Sequence, residues 1–427
     1  MHHRCGVLHS ARVMWLRNAR LADQRIVDVS IDDDLGIVTE LRPAGEAPSE
    51  GTVHGPGEDL RGALLLPAPA EPHAHLDKAL TADLAPNRRG DLRGAIDAWV
   101  GFAPTVTLPD MVARARAAAL ELVASGVTAI RSHANVYPGW YTAIEALVIV
   151  ADELASLVEL QIVALTTIEI SGGEDAYRRL LRDALGIDPR VIVGGCPHLD
   201  VAPHRAIDVA LDVAGEAGRA IDLHTDEQLD PSVLDLRYFA EQVGTLGFAH
   251  GATASHCVSL GMQSYDIQRL VSEEVASAGI AVIALPQTNL FLQGRDHPTA
   301  TPRGLTSLRP LLDAGATLAA GADNVRDPFN LMGRSDPLET AALLVMAGHL
   351  SPDEAYCAVS AGARSAMGLR PFSVVERGCP ADLVALTGTT VGDAMARGDQ
   401  RRTVWKSGKV VARTTHERTF SLQADKT

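Results

Sequence analysis

Two histidines separated by one residue, His73 and His75, follow the apolar run in "GALLLPAPAEPHAHLDKAL" (62–80). In a strand, residues i and i+2 face the same side, so this pair can offer two ring nitrogens to one ion. Alone, such a pair is equally a polar strand end. Its company alters the reading: "AIDLHTDE" (220–227) ends in His224 and Glu227, "FAHGATASHC" (248–257) carries His256, and "TLAAGADNV" (317–325) carries Asp323. Three imidazoles and a carboxylate can hold a divalent ion and leave a position for water. His256 and Glu227 are then the groups that handle protons.

Residues scattered from 73 to 323 need a scaffold that brings strand ends together. Eight apolar, strand-like stretches start near residues 63, 127, 157, 191, 220, 248, 280 and 317. Between them lie helix-like segments such as "DMVARARAAALELVASG", "HRAIDVALDVAGEAG" and "IQRLVSEEVASAG", which stop at glycine as helices often do. Such an alternation predicts an α/β fold, a (β/α)8 TIM barrel whose active site lies at the carboxyl ends of its strands. A doubly wound open sheet competes with it, because periodicity does not show closure. The lack of a G-x-G-x-x-G or a phosphate-binding glycine loop at any strand-to-helix turn weakens that alternative.

Short β-patterned stretches at both chain ends ("ARVMWLRNARL", "RIVDVSID", "ADLVALTG", "TVWKSG", "KVVART") predict a small composite β domain, a β-sandwich. The expected organisation is a loose leader over 1–11, the small domain over 12–62 and 375–427, and the barrel over 63–374. His2 and His3 fall in the leader and are not expected to be ligands.

The chain has 427 residues, 46% hydrophobic, enough for a barrel-sized core. Its net charge of −15 argues against nucleic-acid or anionic-membrane partners and leaves a small-molecule substrate as the expected one. Five widely spaced cysteines contain no C-x-x-C pair, which argues against a disulfide framework or a structural zinc knot. With no signal-like N-terminus and no long apolar run, the expected location is the cytoplasm.

The ordered set "EPHAHLDKAL", "LQIVAL", "PHLD", "IDLHTDE", "ASH", "NLFLQGR" with "RGLTSL", and "GADNVRDPF" resembles the amidohydrolase superfamily, and within it cytosine deaminase and its relatives. The resemblance runs over essentially the whole chain from about Met14. It implies a metal-binding (β/α)8 barrel, often accompanied by a small β-sandwich. By that similarity His73, His75, His224 and Asp323 are metal ligands, Glu227 is the proton shuttle, and His256 orients or polarises the attacking water together with Asp323. No lysine ends strand three or four, so the bridging carboxylated lysine of two-metal members is missing and one ion, iron(II) or zinc, is implied. The implied reaction is hydrolysis of an exocyclic amino group on a nitrogen heterocycle, giving a carbonyl and ammonia. Family members are often multimers, but nothing in the sequence marks an interface.

Substrate-contacting positions depart from the cytosine deaminase pattern. The glutamine at the end of strand three aligns with Thr167, which cannot make the same paired amide contact. The acid that follows the metal-binding aspartate is Asn324. Cytosine is therefore doubtful, and isocytosine, pterins, creatinine and triazines stay open. Gln293, His198, His133 and Phe329 are further candidates for the pocket or its support. Asp77 and Lys78 are expected to cap the loop after strand one, and His250, His297, Cys196 and Cys257 to be packing or surface residues. The alternative function is cleavage of an amide or N-alkylamine C–N bond by the same centre. A catalytically dead binding barrel is a third reading, disfavoured by the complete residue set.

Overall fold

The computed structural model describes residues 13–46, 57–398 and 401–421. The expected leader, with His2, His3 and Cys5, lies outside the described residues. The chain divides into two compact units, Met1–Leu66 with Val375–Thr427, and Pro67–Val374.

The first unit is built on an eight-stranded sheet drawn from both chain ends. Its strands are β1 (Val13–Arg20), β2 (Ile26–Asp32), β3 (Ile37–Pro43), β4 (Gly57–Asp59) and β5 (Leu64–Pro67), joined by three from the C-terminal segment. The second unit holds β6 (Ala70–Ala74), β7 (Ala129–Asn135), β8 (Glu159–Leu165), β9 (Val191–Gly195), β10 (Ile221–Thr225), β11 (Ala252–His256), β12 (Ala281–Ala284) and β13 (Leu318–Ala320). The chain then returns to the first sheet as β14 (Leu383–Leu386), β15 (Arg402–Lys406) and β16 (Lys409–Thr414), in the order β16-β15-β14-β5-β1-β2-β3 with β4 on β1.

β6 to β13 pair in sequence order, every pair parallel. Closure comes from the seam between the first strand and the chain just past the last. Ala74 bridges Asp323, the Asp323 N–H donates to the His73 carbonyl (3.1 Å), and the His75 N–H donates to the Asp323 carbonyl (3.3 Å). The buried Glu71 carboxylate stitches the same seam, accepting from the His73 N–H (3.1 Å) and the Ala322 N–H (2.9 Å). Gly321 leaves room for it, since a Cβ there would overlap Glu71 Oε1. The sheet is therefore a (β/α)8 barrel rather than an open doubly wound sheet.

Strands buried on both faces read as nearly continuous apolar runs, as in "AVIA" of β12. The connecting helices bury one stripe: in Glu174–Leu185, Tyr177, Leu180, Leu181 and Ala184 face inward at helical spacing while Arg178 and Arg182 form outer ion pairs. Helices Pro203–Ala217, Asp235–Leu246 and Tyr265–Ala278 end on Gly218, Gly247 and Gly279 with left-handed backbones.

Several strand expectations overrun the structure. One is 280–290, where β12 ends at Ala284 and the helix Pro286–Leu292 follows. The run 63–75 is two strands in different sheets, β5 and β6, because Pro67 and Pro69 lack the N–H that a continuous ladder needs. The run 157–170 ends as β8 at Leu165, and Thr167 starts the short helix Ile168–Ser171 by accepting from the Ile170 N–H.

Candidate active site

The carboxyl ends of β6, β10 and β11, with the turn after β13, converge on one buried cluster. His75 Nε2 lies 3.2 Å from His224 Nε2 and 3.2 Å from Asp323 Oδ1, and His73 Nε2 lies 3.6 Å from that same oxygen. His73, His75 and His224 form one group able to hold an ion, and His73, His256 and Asp323 another that overlaps it. Ligand atoms each ~2.1 Å from one ion in a tetrahedral set stand roughly 3.4 Å apart, and these three separations fall near that value. His73 Nε2 and Asp323 Oδ1 are buried without a hydrogen-bond partner, as expected of atoms meant for an ion. Burial holds the His73, His75 and His224 rings well below the usual histidine range, so they are neutral and able to ligate. The donor set fits a divalent ion.

A layer beneath the cluster fixes ring tautomers. The Ser255 hydroxyl donates to Asp222 Oδ1 (3.1 Å), so it must accept from His73 Nδ1–H (2.9 Å), and the lone pair of His73 is left on Nε2. Arg131 Nη1 donates to the other Asp222 oxygen (2.9 Å), giving a buried ion pair. The grouping of His73, His133 and Asp222 is thus a poor second metal site, because both Asp222 oxygens are engaged. His133 packs its ring on that of His73, centroids 3.9 Å apart, below the pocket.

His256 Nδ1–H donates to Asn289 Oδ1 (3.0 Å), which leaves Nε2 free, 4.0 Å from Asp323 Oδ2. Glu227 Oε1 lies 3.6 Å from His256 Nδ1 and its Oε2 3.9 Å from His198 Nε2. Burial, with the nearby Asp323 charge, pushes the Glu227 carboxyl well above the usual range, so it can hold a proton at neutral pH. His198 Nδ1–H donates to the His224 carbonyl (3.0 Å), and Gln293 Nε2 donates to the Glu227 carbonyl (3.1 Å). Both support the site from behind. His256 and Asp323 have left-handed backbones, φ 68° and 66°, unusual for non-glycine residues and typical of functional strand ends.

The pocket above the cluster is lined by His75, His224, Glu227, His256, Asp323 and Asn324 at its floor, with Trp99, Tyr137 and Phe329 among its walls. Thr167 lines it as well. The Asn324 amide is already engaged, Nδ2 donating to Asp327 Oδ2 (2.7 Å) and Oδ1 accepting from the Thr288 hydroxyl (3.3 Å).

Several residues here escape sequence reasoning. Lys78 is buried and lines the pocket rather than capping a loop: its Nζ is 2.9 Å from His75 Nδ1, 3.3 Å from Asp77 Oδ1, and 5.6 Å from each of the Trp99 and Phe329 ring centroids. Cys196 also lines the pocket. Asp77 does tie a loop, accepting from the Asn135 N–H (3.1 Å). Asp222 stands two residues before His224 on β10 and so shares its face, which is the signal that could have found it. Ser255 and Asn289 give no such signal. A broader open groove between two outer helices, lined by Tyr238 and Leu270, holds none of these groups.

Comparison with known proteins is consistent with this geometry. A family model described as the amidohydrolase family matches residues 190–412. The chain is 31% identical over 403 residues, 91% of its length and 88% of the other's, to a pterin deaminase of Rhizobium rhizogenes (strain K84 / ATCC BAA-868). It is 24% identical over 418 residues, 93% of its length and 96% of the other's, to an N-isopropylammelide isopropyl amidohydrolase of Pseudomonas sp. (strain ADP). A crystal structure of 5-methylcytosine deaminase from Klebsiella pneumoniae liganded with 5-fluorocytosine superposes with a TM-score of 0.85 at 28% identity, covering 96% of this chain and 99% of that one.

Proposed function

The chain belongs to the amidohydrolase family of C–N hydrolases, and from that premise we propose that it is a metal-dependent deaminase, replacing the exocyclic amino group of a nitrogen heterocycle by a carbonyl oxygen. The observation that carries this reading is the joint placement of a neutral imidazole and carboxylate cluster with a separate buried carboxyl, Glu227, at the floor of one aromatic-walled pocket. The pterin type is the first choice of substrate, supported by the likeness to a pterin deaminase over nine-tenths of the chain.

His73, His75, His224 and Asp323 would hold one iron(II) or zinc ion. Such an ion supplies Lewis acidity and lowers the pKa of water to about 7. The remaining work falls to side chains. Trp99, Tyr137 and Phe329 hold the ring between apolar faces and exclude water. His256, its tautomer fixed by Asn289, accepts through Nε2 and orients the attacking water beside Asp323. Glu227 delivers a proton to a ring nitrogen as the carbon gains oxygen, then passes a proton to the departing nitrogen. Water adds across the ring C=N bond, and Glu227 recovers a proton from the added hydroxyl and gives it to the exocyclic nitrogen. As the C–NH2 bond breaks, ammonia leaves, the ring nitrogen keeps its proton and the ring keeps the oxygen. The thiols Cys196, Cys257 and Cys357 support a reducing cytoplasmic location. Among the described residues no helix is long and apolar enough to cross a membrane.

A second reading, cleavage of an N-alkylamine, is favoured by the likeness to the isopropyl amidohydrolase and by the amide at position 324. Product analysis separates the two. Metal-loaded protein is incubated with pterin, isocytosine, cytosine, creatinine, aminotriazines and their N-alkyl counterparts, and ammonia and alkylamine are measured. Ammonia from a primary-amino ring is the expected result. Alkylamine alone would overturn deamination in favour of the second reading.

A further inference from the structure

We infer that the mouth of the pocket is a subsite for an apolar substituent, so that the substrate is a heterocycle bearing an alkyl or aryl group at the end remote from the amino group that is lost. This rests on the deaminase reading for the orientation of the ring, and on the mouth itself for the rest.

The helix Leu92–Phe102 presents Leu92, Ile96, Trp99 and Val100 to the pocket, a stripe at i, i+4, i+7 and i+8. Its outer face carries Arg93 and Asp97, paired at 3.0 Å. An amphipathic helix normally spends its apolar stripe on the core, yet here Val100 stays 49% exposed. Lining the same pocket, Ile170 on the short helix after β8 is 48% exposed and Leu199 on the turn after β9 is 41% exposed. Single exposed aliphatic residues are ordinary, but these come from three separate connections and converge on one opening. All the acidic and basic pocket-lining side chains, Lys78, Glu227, Asp323 and the histidines, belong to the buried region around the metal cluster. A carboxylate tail would find no charged pocket-lining partner at the mouth, whereas a methyl or phenyl group would shed water against three aliphatic side chains.

The test uses pterins, whose 2-amino group and 6-position lie at opposite ends of the bicycle: pterin, 6-methylpterin, 6-phenylpterin and 6-carboxypterin, with full-length metal-loaded protein. We expect kcat/KM to rank phenyl above methyl above carboxy, with phenyl at least tenfold above carboxy. Val100→Asp and, separately, Leu199→Asp should each lower kcat/KM for the phenyl compound at least tenfold more than for pterin itself. Both positions are exposed, so the barrel should fold, which circular dichroism and the melting temperature check. Equal kcat/KM for phenyl and carboxy compounds, or equal losses on all four in both variants, overturns the assignment.

Equilibrium dialysis of the same four compounds separates this failure from failure of the deaminase reading. Absence of ammonia with the phenyl-over-carboxy ranking kept in binding, and lost in the variants, removes deamination of pterins and supports the subsite. No binding preference overturns the subsite. The other occupant of an apolar rim is a second copy of the chain. Dissociation of an oligomer by Val100→Asp, seen by light scattering, with the substrate ranking unchanged would assign the rim to that interface and overturn the proposal.

Discussion

The floor and the mouth of the pocket are built by opposite means. At the floor, key side chains of strand ends and the turns beyond them are tied by a hydrogen bond from below: Ser255 to His73, Asn289 to His256, Gln293 to the backbone of Glu227. At the mouth, Val100, Ile170 and Leu199 sit on helices and turns, half exposed and without directional partners. Reaction chemistry needs fixed atoms and borrows them from the barrel; selection needs only a surface of suitable polarity, which connecting segments can supply and vary. Thr167 and Asn324 stand between the two regimes, since both line the pocket while the Asn324 amide is held by Thr288 and Asp327.

Breaking the floor should cost most. His224→Ala removes a ligand and should lower metal affinity by more than the ~10–100-fold typical of losing an outer partner, with turnover falling in step, as measured by metal analysis after dialysis against a weak chelator. Ser255→Ala removes only the hydroxyl that orients His73 and should fall within that range of about 10–100-fold, while the fold, followed by circular dichroism, is kept. If the two variants retained metal equally well, the layered account of the floor would be wrong.

The seam that closes the barrel tests the scaffold itself. Gly321→Ala places a methyl group where the Glu71 carboxylate lies and should cost about 1–3 kcal/mol, read as a lower melting temperature. Metal affinity should fall less than in His224→Ala. At the mouth, Ile170→Ala removes part of one wall and should weaken binding of an aryl-substituted pterin by only about tenfold or less, with metal content unchanged.

The barrel was legible because alternating apolar strands and glycine-stopped helices have few other solutions, and because His73 and His75 share a face by the two-residue period of a strand. Closure was not legible: it depends on Glu71 reaching across to Ala322, 251 positions away, which no local pattern encodes. Strand ends were misjudged for a related reason. Past Leu165 the run Thr166-Thr167-Ile168-Glu169-Ile170 keeps a β-branched, strand-like pattern, but Thr167 turns it into a helix, and that turn helps to shape the pocket. Lys78 was misread because a lysine beside an aspartate suggests a surface loop. The barrel unit contains no other lysine, and the structure buries this one between aromatic rings. Ser255 and Asn289 carry no special spacing, and only the fold places them under the imidazoles.

The most direct test of the central claim, one metal centre with a separate proton-carrying carboxyl, is to measure metal content and turnover together in the wild-type protein and in Glu227→Gln. One ion per chain is expected in both, with turnover lower by about 10²–10⁴-fold in the variant alone. Two ions per chain, or a variant that turns over like the wild type, would contradict it.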